Sequence, residues 1–291
     1  MKLAFYPGCS LESSAKEYKE STLLVAKTLG IDIQEIPDWI CCGSTPAHMY
    51  DELVGIALPA HTLLLAREME TEGVLVSCAS CYNRLKAANY AVRSSDSKRK
   101  DLARALGQAY EGEVPVYHMA EIIARAVEES GFDSKVKRRL DGLRVASYYG
   151  CLLVRPEKIT GFDDREDPQS LDRMVLKLGA EPVTWRYKVE CCGASLAFSQ
   201  PEIVLKLSGE ILQDAKDSDA DIVVVACPLC HSNLDLRQRD MEKFLGVDLE
   251  LPVLYFTQLL GLAFGYSAAE LGLSKHVINP VPVLKRRGIH V

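Results

Sequence analysis

The sequence lacks several features that would fix its class at a glance. No apolar run is both long enough and free enough of polar residues to span a membrane. The strongest, YFTQLLGLAFGYSAAELGL at 255–273, contains Gln258, Glu270 and three glycines. The opening MKLAFYPGCS reaches Pro-Gly before a signal-peptide apolar core can form. Positive charge is not in excess: 34 Lys and Arg stand against 40 Asp and Glu, a net charge of −6, which gives nucleic acid nothing to favour. The basic clusters at 98–100 and 135–139 read as solvated faces or linkers. No Gly-x-Gly-x-x-Gly run is present, so the chain has no flavin or nucleotide fingerprint.

These absences predict a cytoplasmic protein without a direct membrane span, in a compartment where disulfides are rare. The composition, 48% hydrophobic and 25% charged over 291 residues, is that of a globular protein of one large domain or two ordinary ones. The 255–273 stretch reads as a core helix whose apolar residues point all round, which predicts cover by a partner subunit on part of it. Against this background ten cysteines need an explanation other than a disulfide framework.

The cysteines form a repeat. The first half reads C-x31-C-C-x35-C-x2-C and the second C-x39-C-C-x34-C-x2-C. LAFYPGC matches VASYYGC, ICCGS matches ECCGA, GVLVSCASC matches IVVVACPLC, and VPVYHMAEII matches LPVLYFTQLL. The same order of matched segments argues for two copies of one unit. The boundary falls in the polar stretch SGFDSKVKRRLDG at 130–142 and divides the chain into 1–138 and 139–291.

Each copy alternates short β-rich runs with longer helical patterns. KLAFY, IDIQEI, VLVS and VPVY are separated by patterns such as Lys16–Leu29 and Pro46–Met69, and LRVASYY, AEPVTW, DIVVVA and LPVLY follow in the second copy. That alternation predicts an α/β fold with a mainly parallel sheet. All cysteines then lie at or past the carboxyl ends of strands, the edge where open α/β sheets bind ligands.

Five thiols per half exceed what a structural zinc ion or an ordinary [4Fe–4S] cube needs, since each takes four. Either four bind and one is a spectator, or an iron–sulfur cluster takes more than four protein sulfurs. The adjacent pairs Cys41-Cys42 and Cys191-Cys192 favour the second, because consecutive side chains diverge and suit several irons better than one ion. Gly43 and Gly193 predict a backbone free to approach the metal. Cys78/Cys81 and Cys227/Cys230 predict short chelate loops opening helices, whose free N–H groups stabilise thiolate charge.

Cys9…Cys41-Cys42-Gly43…Cys78-Ala79-Ser80-Cys81 and its second copy resemble the cysteine-rich CCG domain. The duplicated form, over nearly the whole chain, resembles the catalytic B-type subunit of heterodisulfide reductase. Pattern and resemblance together predict two tandem Rossmann-like parallel-sheet repeats (CCG domains) related by pseudo-twofold symmetry. The resemblance implies one non-cubane [4Fe–4S] cluster on Cys9, Cys41, Cys42, Cys78 and Cys81, and a second on Cys151, Cys191, Cys192, Cys227 and Cys230. It further implies reduction of a disulfide of the coenzyme M–coenzyme B type, placed between the two clusters. Electrons would come from a small ferredoxin-like iron–sulfur subunit, fed by a flavin subunit or a membrane cytochrome. The opening YPGCSLESSAKEY is nearer to broader bacterial relatives, which leaves the small thiol or disulfide substrate open. The competing readings are an electron-transfer subunit with no disulfide chemistry and a zinc-stabilised scaffold.

His48 and His231 are candidate proton donors to a departing thiolate; the ordinary alternative for each is a histidine bonded to backbone or water. The second copy carries an insertion, LLVRPEKITGFDDREDPQ at 152–169, that either lines a substrate channel or touches the electron-donating subunit, or is a tolerated surface loop. Within it Arg155 and Lys158 are the candidates to meet an anionic substrate. The terminal LKRRGIHV reads as a solvated basic tail.

Overall fold

The computed structural model describes residues 1–44 and 46–291. The chain forms two four-stranded, all-parallel sheets. The first contains β1 (Lys2–Tyr6), β2 (Asp32–Glu35), β3 (Val74–Val76) and β4 (Val116–His118), in the order β2-β1-β3-β4. The second contains β5 (Arg144–Tyr148), β6 (Glu181–Pro182), β7 (Ile222–Val225) and β8 (Val253–Tyr255), in the order β6-β5-β7-β8. All eight strands fall on the β-rich runs of the sequence. Central strands are buried along their length, Ile222–Val225 completely, because helices cover both faces of a parallel sheet. The edge strands obey different rules. β2 is mostly exposed, and β6 tolerates Pro182 because an edge strand can lose a donor.

The two halves pack reciprocally. Helix Lys16–Leu29 of the first lies on helix Phe256–Ala263 of the second, and helix Ser170–Lys177 of the second lies on helix Met119–Ala126 of the first. Helices Gly8–Glu12 and Pro228–Leu234 meet, as do their counterparts Cys151–Val154 and Ala79–Ser94. Exchanging the halves maps each contact onto the other, which is the mark of a twofold relation. The seam is buried and specific: Tyr18 stacks on Tyr255 at 4.0 Å and Ser21 Oγ lies 2.7 Å from Thr257 Oγ1.

Four local expectations are corrected. The pattern Pro46–Met69 is two helices, Ala47–Tyr50 and Glu52–Arg67, because Asp51 adopts an extended backbone and accepts a hydrogen bond from Val54 N as a cap. The 255–273 stretch is one eight-residue helix, Phe256–Ala263, with every residue buried. Its cover comes from the first half of the same chain rather than from a partner subunit. The terminal LKRRGIHV belongs to a docked segment: helix Val281–Arg286 buries Leu284, Ile289 is buried beyond it, and Arg287 donates to Asp221 at 2.8 Å. The insertion is a brace rather than a free loop. Asn83 Nδ2 donates to the carbonyls of Leu152 (3.3 Å) and Arg155 (2.9 Å), and Tyr82 OH donates to that of Thr160 (3.2 Å). Among the described residues no helix is long and apolar enough to cross a membrane.

Candidate metal centre

The parallel strands deliver the cysteines to the two sheet edges. Cys9 lies in helix Gly8–Glu12 directly after β1, and Cys41-Cys42 in the loop after β2. Cys78 caps helix Ala79–Ser94 after β3, and Cys81 sits in its first turn. The second half repeats this: Cys151 opens helix Cys151–Val154, Cys191-Cys192 lie in the loop after β6, and Cys227 caps helix Pro228–Leu234, which holds Cys230. All ten are free thiols, with Cys9, Cys41 and Cys191 exposed and Cys151 half-buried. Cys42 Sγ lies 3.4 Å from Cys81 Sγ and Cys192 Sγ 3.5 Å from Cys230 Sγ, too long for a disulfide and close enough to share a proton. Across the pseudo-twofold axis Cys78 donates to Cys227, so the two sets touch.

The thiols alternate as donors and thiolates. Hydrogen bonds from Cys41 and Cys81 pull the Cys42 thiol down to about 4. The bond from Cys151 brings Cys191 to about 6. Cys230 and Cys78 together hold Cys227 well below its ordinary value. The donors shift in the opposite direction: donation to Cys42 raises Cys41 and Cys81, and donation to Cys191 raises Cys151. Gly193 N also points at Cys191 Sγ at 3.3 Å. Such crowded sulfur charge is stabilised by a bound cation.

Several features support the sulfur sets, and sequence reasoning missed most of them. Tyr6 OH donates to the Ile40 carbonyl at 2.8 Å, and its counterpart Tyr148 OH to the Glu190 carbonyl at 2.7 Å. Each therefore pins the residue before an adjacent cysteine pair. Gly8 (φ +69°) and Gly150 (φ +66°) face the sulfurs: a Cβ there would come within 3.1 Å of Cys81 Sγ and 3.3 Å of Cys230 Sγ. Gly43 and Gly193 play another part than expected. A Cβ on Gly43 (φ +69°) would strike Ala47 and Leu58 at 2.6 Å, and one on Gly193 (φ +76°) would crowd Val204 at 3.2 Å, so both glycines serve a left-handed turn and helix packing. The buried Tyr18 OH has no hydrogen-bond partner among the described residues, and burial, with Cys227, Tyr255, Cys78 and Cys230 adding to it, raises its pKa well above the ordinary value. The glycine cradles at Gly8 and Gly150 and the thiolate donor set fit an iron–sulfur group in each half.

A cavity of about 250 Å³ opens onto one set only. Cys151, Cys191, Cys192, Cys227 and Cys230 all line it, while the first half contributes no cysteine but Ser44, His48, Met49, Ala79, Ser80 and Arg84. His48 is therefore beside the second sulfur set, with its pKa lowered by partial burial and by the Arg84 charge. His231 is elsewhere. Its Nε2 lies 3.1 Å from the Val253 carbonyl and 2.8 Å from His276 Nδ1, its ring stacks on Tyr255 at 4.3 Å, and it does not line the cavity. Neither substrate candidate reaches the cavity. Arg155 pairs with Glu166 at 2.8 Å and donates to the Arg165 carbonyl, and Lys158 lies over the Tyr90 ring. The cation that does line it is Arg84, which in sequence is an ordinary helical arginine.

Residues 3–86 and 145–235 each match the cysteine-rich domain known as CCG. The chain belongs to the CCG family. In this duplicated form it is similar to the 8-methylmenaquinol:fumarate reductase membrane anchor subunit of Wolinella succinogenes, at 37% identity over 96% of this chain and 97% of that one. It is also similar to the B-type subunit of the ferredoxin/F(420)H(2)-dependent CoB-CoM heterodisulfide reductase of Methanosarcina acetivorans, at 28% identity over 98% and 96%. A crystal structure of a hypothetical protein from Helicobacter pylori shares the fold, with a TM-score of 0.79 at 14% identity over 96% of this chain. This CCG chain spans about half, 52%, of that protein.

Proposed function

We propose that this CCG protein is the iron–sulfur catalytic subunit of a heterodisulfide reductase-like complex. Residues 1–138 and 139–291 would each carry one [4Fe–4S] cluster, of non-cubane type. Cys9, Cys41, Cys42, Cys78 and Cys81 would hold the first, and Cys151, Cys191, Cys192, Cys227 and Cys230 the second. The observation that carries the reading is the gathering of ten free thiols into two touching sets, one of them open to a cavity. The bound clusters would supply single electrons and sulfur-accepting iron, and splitting a disulfide takes two electrons and releases two thiolates. The chain's own residues bind and orient. The second-half thiols and the Leu152 and Leu229 side chains wall the cavity, and His48 stands where a proton could reach a departing thiolate. Electrons would enter from a ferredoxin-like subunit in the cytoplasm, fed by a flavin subunit or a membrane cytochrome.

A second reading has a specific observation behind it. The greater identity to a membrane anchor subunit of a fumarate reductase, whose name carries no disulfide chemistry, favours the alternative of an iron–sulfur electron-transfer subunit with no disulfide chemistry of its own. Anaerobic purification followed by EPR of the oxidised protein, with and without added thiol, separates the two. A thiol-dependent signal supports the catalytic subunit. An iron–sulfur protein whose spectrum ignores thiols is the electron-transfer subunit.

A further inference from the structure

The two halves are copies, yet one difference between them stands where the sulfur sets meet. Tyr18, in helix Lys16–Leu29, is fully buried, and its hydroxyl is the orphan among the buried tyrosines. Tyr6, Tyr82, Tyr110, Tyr148 and Tyr149 each donate to an oxygen. The Tyr18 ring is fixed by its 4.0 Å stack on Tyr255 of the second half and by an edge contact with Phe256 at 6.3 Å. Tyr255 in turn stacks on His231, the neighbour of Cys230. The sulfurs whose charge acts on the phenol are Cys227 foremost, then Cys78 and Cys230, two of them from the second set. A buried O–H without an acceptor is costly, and native structures supply one. No carbonyl or carboxylate among the described residues does so here, whereas sulfur that carries charge can. The second half has no equivalent phenol. Tyr18 lies 12 residues before Gly30, and 12 residues before the matching Gly179 stands Asp167, on the exposed insertion and paired with Lys188 at 3.1 Å.

We infer that Tyr18, carried by the first half, donates its hydroxyl hydrogen to sulfur of the iron–sulfur group on the second set, and that the first set receives no matching phenol in return. The inference rests on the proposed pair of clusters. A hydrogen bond to cluster sulfur stabilises the reduced, more negative state and so raises the potential. The second set is then the better electron acceptor. A single electron on the first passes to the second, oxidising one as it reduces the other, and the contact between Cys78 and Cys227 gives it a direct path.

The test uses the anaerobically purified full chain, with iron and sulfide measured first, and follows both clusters by redox titration monitored by EPR. Tyr18→Phe keeps the ring and its stack and removes only the O–H. It should keep full iron, while the potential of one cluster falls by about 59 mV or more, a tenfold change in that one-electron equilibrium, and the other stays where it was. Cys192→Ala tells the two apart. It disrupts the second set, so the potential that survives in it belongs to the first cluster and should be the one Tyr18→Phe leaves unchanged. Tyr110→Phe, which breaks a buried hydrogen bond to Asn89, should shift neither potential. In the wild type, ENDOR in light and heavy water should detect an exchangeable proton coupled to the second cluster, and Tyr18→Phe should lack it. Unshifted potentials in iron-loaded Tyr18→Phe overturn the inference, as does a shift confined to the first cluster. Should Tyr18→Phe lose iron, the wild-type proton decides: its presence supports the donor and its absence overturns it. A wild type without iron refutes the proposed function instead and removes the inference with it.

Discussion

Gly8→Ala probes the sulfur set with one methyl group. The residue has φ +69°, where a non-glycine residue costs about 1–2 kcal/mol. Its new Cβ would also stand 3.1 Å from Cys81 Sγ, a contact that forces the sulfur or the turn to shift. Gly30 supplies the control. It has φ +74° but nothing within 4 Å of its Cβ position, so Gly30→Ala carries the conformational cost alone. Both variants should lower Tm by about 2–4 °C for that cost. Only Gly8→Ala should also lose iron, about half of the total, because one of two sets is disturbed. The pair Gly150→Ala and Gly246→Ala extends the comparison to the second half, with a sulfur at 3.3 Å in the first case and open space in the second; Gly150, at φ +66° and ψ −177°, also has a backbone that only glycine adopts readily, so its variant should melt lower than Gly246→Ala and iron content is the readout compared. Iron analysis and thermal unfolding of the four variants suffice. If Gly8→Ala keeps full iron and melts with Gly30→Ala, the sulfurs are not held where the structure puts them.

Cys192→Ala should remove about half the iron while leaving the first sheet folded; an unchanged iron count would make Cys192 a spectator. Tyr6→Phe leaves the Ile40 carbonyl without its 2.8 Å donor and should destabilise the loop by about 1–3 kcal/mol, read as faster iron release to a chelator. Asp235, buried with its pKa raised to about 6 by desolvation, binds its proton more tightly folded than unfolded. Stability should therefore fall as pH rises from about 4 to about 6 and then level off, and Asp235→Asn should flatten that slope in pH-dependent unfolding. Arg155→Ala removes a partly exposed ion pair that does not line the cavity, so it should leave thiol binding unchanged and cost under about 1 kcal/mol.

The fold was legible because duplication doubles every signal. Two copies of strand, cysteine, strand and cysteine pair fix the order of elements, and buried parallel strands such as IVVV read as unbroken apolar runs. What sequence alone concealed is long-range. The apolar 255–273 stretch gives no sign that helix Lys16–Leu29 of the other half will cover it. Asp51 looks like a polar residue on a helix until its extended backbone shows it to be a cap. Gly8 and Gly150 precede the first cysteine of each copy, so aligning the repeats could have flagged them, whereas the CCG glycines drew attention to the wrong contacts. Arg84 is where the repeats differ, an arginine opposite Asn233, and only the geometry shows that the difference opens into a cavity. Arg155 and Lys158 had the right charge, but the insertion that carries them braces the halves together.

The central claim is that two five-thiol sets hold iron and sulfide. Metal and acid-labile sulfide analysis of the anaerobically purified chain tests it most directly. The account predicts about eight irons and a matching amount of sulfide per chain. Stoichiometric zinc with no iron would contradict it.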